Sequence, residues 1–136
     1  MEPKKLIELA MEAMTHAYVP YSGFKVGAAL LTKAGKVYTG CNIENAAYGP
    51  SNCAERTAFF KAVSEDEREF AAIAVVGGRD GIVTDIFPPC GVCRQVMQEF
   101  CTPDFMIYMG RGDGTYEAVR LDALLPYGFT ADKYMK

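Results

Sequence analysis

The stretch Asn52-Cys53-Ala54-Glu55-Arg56-Thr57 is the part of the chain around which the remaining sequence can be arranged. It follows a loop of small residues that contains Gly49-Pro50, and an apolar pattern continues after it, so it is predicted to begin a helix. Further along, Pro88-Pro89-Cys90-Gly91-Val92-Cys93-Arg94 opens a second helical pattern. Two helix starts therefore carry three thiols and one carboxylate that the fold could bring to one point.

Cys53, Cys90 and Cys93 are the predicted ligands of one zinc ion per chain. Three protein ligands with a fourth position open to water are typical of a catalytic zinc site. The partial positive charge at each helix N-terminus also favours the thiolate form that zinc requires.

Two other interpretations of the cysteines remain open on the residues alone. Cys90 and Cys93 by themselves fit a dithiol redox motif, which would have no use for a third cysteine at position 53. Cys41 and Cys101 are interpreted as small buried hydrophobic residues. If either of them bound zinc as a fourth ligand, the site would be structural and the protein a binding module.

Glu55 also has two interpretations. The spacing from Asn52 to Glu55 fits a capping box, in which the glutamate bonds back to the N–H of the cap residue. Beside a zinc ion, an unligated carboxylate can instead take a proton from bound water, whose pKa the metal lowers to about 7. The three cysteines favour the second interpretation and make Glu55 the predicted catalytic residue.

Length, charge and composition limit the class of protein. The 136 residues fit one domain, residues 1–136, and half of them are hydrophobic, which is ample for one core. A net charge of −3 without a basic block argues against a nucleic-acid partner. Because the N-terminus leads into a patterned helix, we expect no signal peptide, no membrane span and a cytoplasmic location. Five cysteines in such a chain, two of them in a C-x-x-C pair, favour metal or redox chemistry over disulfides.

Hydrophobic periodicity predicts elements in the order α-β-β-α-β-α-β-β, which implies a three-layer α/β/α sandwich around a mixed five-stranded sheet. The predicted helices cover residues 3–17, about 52–64 and 90–101, and the predicted strands cover 24–31, 37–43, 70–76, 105–109 and 116–120. A short helical turn is expected at 121–125, and Asn52 or Ser51 is expected to cap the second helix.

Several motifs together resemble a known family. Cys53-Ala54-Glu55 followed by Pro89-Cys90-Gly91-Val92-Cys93 is similar to the signature of zinc-dependent nucleoside and nucleotide deaminases, with cysteine in place of a histidine ligand. The segments 24–29 and 40–48, the latter with Asn42-Ile43-Glu44-Asn45, extend the likeness to the small homotetrameric cytidine deaminases. The resemblance spans essentially the whole chain.

The resemblance implies an activity: hydrolytic deamination of free cytidine and deoxycytidine to uridine and deoxyuridine with release of ammonia, in pyrimidine salvage. A zinc-bound hydroxide would attack C4 while Glu55 moves the protons. A relative acting on a different aminated ring would be expected to lack the Asn42 and Glu44 pair.

The resemblance also implies roles for six further residues. Asn42 and Glu44 would bind the ribose 3′-hydroxyl, Phe24 would flank the sugar and base, and the N–H of Ala54 would bind the pyrimidine carbonyl; Phe129 would reach into a neighbouring subunit's pocket, and Arg56 would offset thiolate charge. The aromatic residues Tyr127 and Tyr134 near Phe129 are consistent with a subunit interface, so a homotetramer is expected.

Overall fold

The structure, a computed structural model, describes residues 1–135, and residue 134 by its backbone alone. The helices are Pro3–Met14 (α1), Ala54–Ser64 (α2), Gly91–Phe100 (α3), Leu121–Leu124 (α4) and Ala131–Tyr134 (α5), and the strands are Phe24–Thr32 (β1), Val37–Cys41 (β2), Phe70–Arg79 (β3), Met106–Gly110 (β4) and Tyr116–Arg120 (β5). The predicted order of elements is confirmed, with α4 as the expected short turn and α5 as an addition that was not predicted. None of the described helices is both long enough and apolar enough to span a membrane.

The five strands form one sheet in the order β2-β1-β3-β4-β5. Strand β1 is antiparallel to both β2 and β3, and β4 is antiparallel to β5. Strands β3 and β4 run parallel, with α3 in the connection between them. Parallel neighbours need such a crossover because a tight hairpin cannot join them. The predicted mixed five-stranded sheet is therefore confirmed.

Helix α1 covers one face of the sheet. Its apolar positions recur at three- and four-residue spacing and meet the small side chains of β1 and β3. The buried members of this cluster are Leu6, Ile7, Ala10, Met14, Ala29, Ala72, Ala74 and Val76. The helix can lie close to the sheet because Gly27 on β1 has no side chain: a Cβ there would lie 2.0 Å from the Ala10 carbonyl oxygen.

Helices α2 and α3 cover the other face and complete the three-layer α/β/α sandwich that the sequence predicts. Phe59 of α2 is fully buried at the centre of this layer. Its ring packs against those of Phe70, Phe100 and Phe105, with centroids 5.2, 6.3 and 6.1 Å away. This aromatic cluster joins both helices to β3 and to the start of β4, so it packs α2 and α3 against each other and against the sheet.

Several predicted boundaries were wrong, among them the end of β2, which is Cys41 and not residue 43. Helix α1 ends at Met14 and not at residue 17. Strand β3 continues to Arg79, because it stays paired with β1 as far as Phe24. Helix α2 begins at Ala54 with Cys53 as its N-cap, not Asn52 or Ser51. Asn52 is held in extended backbone by two hydrogen bonds with Ile43, which places the start of the helix one residue later.

Candidate metal centre and active site

The three predicted zinc ligands meet at the N-termini of α2 and α3. Cys53 is the N-cap of α2, Cys90 is the N-cap of α3, and Cys93 lies in the first turn of α3. Their sulfur atoms all lie within 4.8 Å of one another, and they form the one cluster of possible metal ligands found among the described residues. Cys41 and Cys101 are outside this cluster, so neither provides a fourth thiolate there.

The sulfur geometry fits zinc and not a disulfide. Cys53 Sγ and Cys90 Sγ are 3.8 Å apart. Two sulfurs bound tetrahedrally at about 2.3 Å from zinc would be separated by about 3.8 Å. A disulfide needs its sulfurs about 2.0 Å apart, and all five cysteines are free. The three-sulfur donor set therefore suits one zinc ion per chain, and it includes Cys53, which a dithiol site at Cys90 and Cys93 would not need.

Arg56 lies beside the sulfur cluster. Its Nη2 donates a hydrogen bond to Cys53 Sγ at 3.1 Å. The pKa of Cys53 is well below its usual range because Cys93 and Arg56 both donate to its sulfur. Among the described residues, Nε of Arg56 is the buried side-chain polar atom without a hydrogen-bond partner. Three thiolates on one zinc dication would carry a net negative charge. The Arg56 guanidinium lies where it can offset that charge.

Glu55 is buried, with 1% of its surface exposed. Burial is the main cause that raises the pKa of its carboxyl to about 7, and the charge of Cys53 acts in the same direction. The capping-box interpretation of Glu55 was wrong. It stands two residues after the N-cap Cys53, not three, and the helix has no side-chain cap hydrogen bond. A buried carboxyl next to possible metal ligands, with a pKa near neutrality, is typical of a functional site.

A cavity of about 270 Å³ opens onto Glu55, Cys53 and Cys90. Its lining includes Asn42, Glu44, Ala54 and Arg56, each of them predicted for the site. This volume is slightly below the roughly 300 Å³ at which typical small-molecule pockets begin, so the cavity is sized for one small molecule.

Asn42 and Glu44 are both held by the backbone of the segment around β1. The amide of Asn42 accepts from the N–H of Val26 and donates to the carbonyl of Phe24, each at 2.9 Å. The carboxylate of Glu44 accepts from the N–H groups of Tyr21 and Ser22 and from the Ser22 hydroxyl. Both side chains are thus preorganised at the cavity wall.

Three predicted residues, Cys93, Phe24 and Phe129, do not line this cavity within one chain, and Cys93 is buried at the sulfur cluster. Phe24 lines a neighbouring cleft, and its ring packs against Phe87 with centroids 5.3 Å apart. Phe129 lies in the C-terminal segment, 54% exposed, and its carbonyl accepts a hydrogen bond from Gln95 Nε2. Arg94 donates to the carbonyls of Pro89 and Leu124, each at 2.7 Å, so it connects the cysteine segment to α4.

The structure adds four residues to the cavity that sequence reasoning missed: Val26, Ser51, Asn52 and Phe87. Val26 lies within the quoted 24–29 motif and Asn52 stands next to Cys53, so membership of a motif or proximity to one could have suggested them. Phe87 lies in the irregular connection before Cys90, and no pattern marks it in the sequence.

The fold and the site together fit the class of zinc enzymes: an α/β/α sandwich with three cysteines that could hold a metal ion, an arginine hydrogen-bonded to one of them and a buried carboxyl facing a small cavity. Comparison with known proteins identifies the family. Residues 1–109 match the family model described as the cytidine and deoxycytidylate deaminase zinc-binding region.

Relatives of similar length support the same family. The chain is 52% identical over 132 residues to a cytidine deaminase of Halalkalibacterium halodurans, covering 97% of each chain. It is 50% identical over 132 residues to a cytidine deaminase of Sporosarcina psychrophila, covering 97% of this chain and 94% of the relative. The crystal structure of cytidine deaminase from Burkholderia pseudomallei superposes with a TM-score of 0.88 at 49% identity, covering 95% of this chain and all of that one. The chain belongs to the cytidine and deoxycytidylate deaminase family and is a zinc-dependent hydrolytic deaminase.

Proposed function

We propose that this protein deaminates free cytidine and deoxycytidine, giving uridine or deoxyuridine and ammonia. The observation that carries the proposal is Glu55, buried beside the three-cysteine cluster at a cavity large enough for one small molecule. The relatives named above as cytidine deaminases, at about half of all positions identical over nearly the full length, support this substrate.

Zinc bound by Cys53, Cys90 and Cys93 supplies Lewis-acid activation of water. Glu55 accepts a proton from the attacking water and delivers it to ring N3. The water oxygen becomes bonded to C4, Glu55 carries the remaining proton of that oxygen to the exocyclic amine, and the C4–N bond breaks to release ammonia while the oxygen becomes the C4 carbonyl. A carboxyl whose burial holds its pKa near 7 can both accept and donate these protons.

Arg56 balances the charge of the cluster. Three thiolates on one dication leave a net negative charge, which weakens the activation of water. The hydrogen bond from Arg56 to Cys53 sulfur withdraws electron density from that ligand and offsets the charge.

Asn42 and Glu44 direct the enzyme to a nucleoside over the bare base. We assign them to the ribose 3′-hydroxyl, because a polar pair held at the cavity wall loses binding energy when its partner is missing. Hydrogen bonds from Ser22 and Tyr21 hold the pKa of Glu44 below its usual range, so it is an anion that repels a 3′-phosphate. We assign Phe24 to the flank of sugar and base, and the N–H of Ala54 to the pyrimidine carbonyl.

The proposal extends to assembly and location. We propose one deaminase domain over residues 1–136, acting in pyrimidine salvage in the cytoplasm as a homotetramer. Phe129 would complete a neighbouring subunit's pocket, and the exposure of Tyr127 and Phe129 supports a contact there. The side chain of Tyr134, also expected at the interface, lies outside the described residues. The net charge of −3 supports a small-molecule substrate and no nucleic-acid partner.

The central experiment removes the carboxyl and keeps the metal. Glu55→Ala should retain one zinc per chain and lose about 10²–10⁴-fold in kcat for cytidine, the typical contribution of a general acid–base. The measurements are the ultraviolet change on adding cytidine and a metal count on the same sample. Glu99→Ala, an exposed glutamate on α3, is the matched control and should keep full activity. Near wild-type ammonia release by Glu55→Ala would refute the mechanism.

A second measurement separates the enzyme from a zinc-stabilised binding module. Cys41→Ser and Cys101→Ser should each keep one zinc per chain, since both thiols lie outside the cluster. Loss of zinc from either variant would identify a fourth ligand and a structural site. Freshly purified reduced protein without zinc would point instead to dithiol chemistry at Cys90 and Cys93.

A further inference from the structure

Phe87 is the one aromatic side chain among the described residues that line the cavity next to Glu55. It stands three residues before Cys90, so the connection that delivers a metal ligand also delivers an aromatic ring to the same cavity. The sequence motifs do not account for Phe87, because it lies outside both cysteine segments.

The ring of Phe87 is positioned by contacts with Phe24 and with the backbone at Gly77. Phe24 packs against it at 5.3 Å with the ring planes inclined by 43°. Beneath both rings lies Gly77 of β3, where a Cβ would come within 2.7 Å of Phe87 Cδ1 and 3.0 Å of Phe24 Cε1. Real Cβ atoms do not approach this closely, so the ring takes its place because position 77 has no side chain.

The connection that carries Phe87 is itself anchored to the sheet. A Cβ at Gly78 would lie 2.0 Å from the Ile82 carbonyl oxygen, and one at Gly112 would lie 2.1 Å from the Val83 carbonyl oxygen. Asp85 also pairs with Arg111 at 3.4 Å. A segment that closely approaches β3 at Gly78 and the β4–β5 turn at Gly112 presents its next side chain in a defined position.

We propose that Phe87 is a substrate-binding residue that holds the heterocyclic ring against Glu55 and the metal cluster, with Gly77 and Phe24 keeping it in place. This inference rests on the proposed function, because it takes a pyrimidine nucleoside as the ligand. An aromatic face is suited to a planar base, and stacking is among the larger contributions to base binding. Phe87 takes no part in proton transfer, since a phenyl ring has no group to exchange.

The test compares Phe87→Leu with Phe100→Leu. Both phenylalanines are partly buried and contact one neighbouring ring, but Phe100 does not line the cavity. Loss of stacking at position 87 should raise the KM for cytidine about tenfold, with kcat changed much less and zinc content unchanged. Phe100→Leu should leave KM at the wild-type value. In a Glu55→Ala background, Phe87→Leu should weaken cytidine binding by the same factor, measured as Kd without turnover.

Gly77→Ala provides a second arm. Its methyl group would displace the Phe87 ring, so KM should rise, and the double variant Gly77→Ala, Phe87→Leu should show less than the product of the two single effects. An unchanged KM in Phe87→Leu, or an equal rise in Phe100→Leu, would overturn the inference even if Gly77→Ala fails to fold. A wild-type protein that releases no ammonia from cytidine would instead refute the proposed function, so the two failures are distinguishable.

Discussion

On each face of the sheet a helix packs closely against a strand glycine, but the two contacts have different consequences. On one face α1 approaches Gly27 of β1, where a Cβ would lie 2.0 Å from the Ala10 carbonyl oxygen. On the other face α2 approaches Gly40 of β2, where a Cβ would lie 2.3 Å from the Ala54 carbonyl oxygen. Ala10 lies in mid-helix among apolar neighbours, whereas Ala54 stands between Cys53 and Glu55. The close contact on the α1 face therefore contributes only to the core. The equivalent contact on the α2 face also sets the position of the active site.

The largest expected effect comes from removing one core side chain on each face. Leu6→Ala on α1 should lower the free energy of unfolding by about 2–5 kcal/mol, and Phe59→Ala on α2 by about 3–5 kcal/mol. Both side chains are fully buried or nearly so. Urea unfolding of the zinc-loaded proteins measures these losses.

Zinc retention by the folded protein sharpens this comparison. Because Phe59 joins α2 to α3, its removal should also speed the loss of zinc to a chelator, whereas Leu6→Ala should leave that rate unchanged. Equal chelator rates in the two variants would show that the faces are not separate in function.

A smaller effect is expected from the glycine pair. Gly27→Ala and Gly40→Ala each insert one methyl group against a helix backbone, and overpacking of this kind costs about 1–3 kcal/mol. Thermal unfolding should show similar losses. Only Gly40→Ala should lower kcat for cytidine, because the displaced Ala54 carbonyl carries Cys53 and Glu55 with it. A fall in kcat for Gly27→Ala at a temperature where it is fully folded would contradict the comparison.

The smallest effect concerns pH at the rim of the site. The hydroxyl of Ser22, followed by backbone N–H groups of Ser22 and Tyr21, lowers the pKa of Glu44 from its ordinary value of 4.5. A lowered folded-state pKa gives stability that is present above pH 4.5 and is lost as the pH falls through the folded pKa.

The stability difference between the wild type and Glu44→Gln should therefore be constant near neutrality and shrink below pH 4.5. Denaturant titrations at several pH values measure it, with Glu99→Gln on exposed α3 as the matched control. A difference that grows on acidification would mean that the ionised carboxylate does not stabilise this loop.

The order of elements could be predicted because it depends on local pattern. Alternating and continuous apolar runs mark the strands, and Gly35 marks the β1–β2 turn with its positive φ of 95°. The ends of elements were less predictable. Asn52 looks like a helix cap by residue type, but its backbone pairs with Ile43, a partner whose position depends on the folded β2 edge.

The sequence by itself determined which groups are available for chemistry. Cys53, Cys90, Cys93 and Glu55 can be recognised because residue type and spacing fix their ligand and proton-transfer capacity. It also determined the family, through motifs that need no knowledge of the folded contacts.

Only the tertiary structure decided what those groups experience. Burial raises the pKa of Glu55 to about 7, and the approach of α2 to α3 brings three sulfurs within 4.8 Å. The same is true of Phe87, whose ring reaches the cavity because Gly77, on a separate strand, leaves room for it. Burial, convergence and free space are properties of residues distant in sequence, so no local pattern records them.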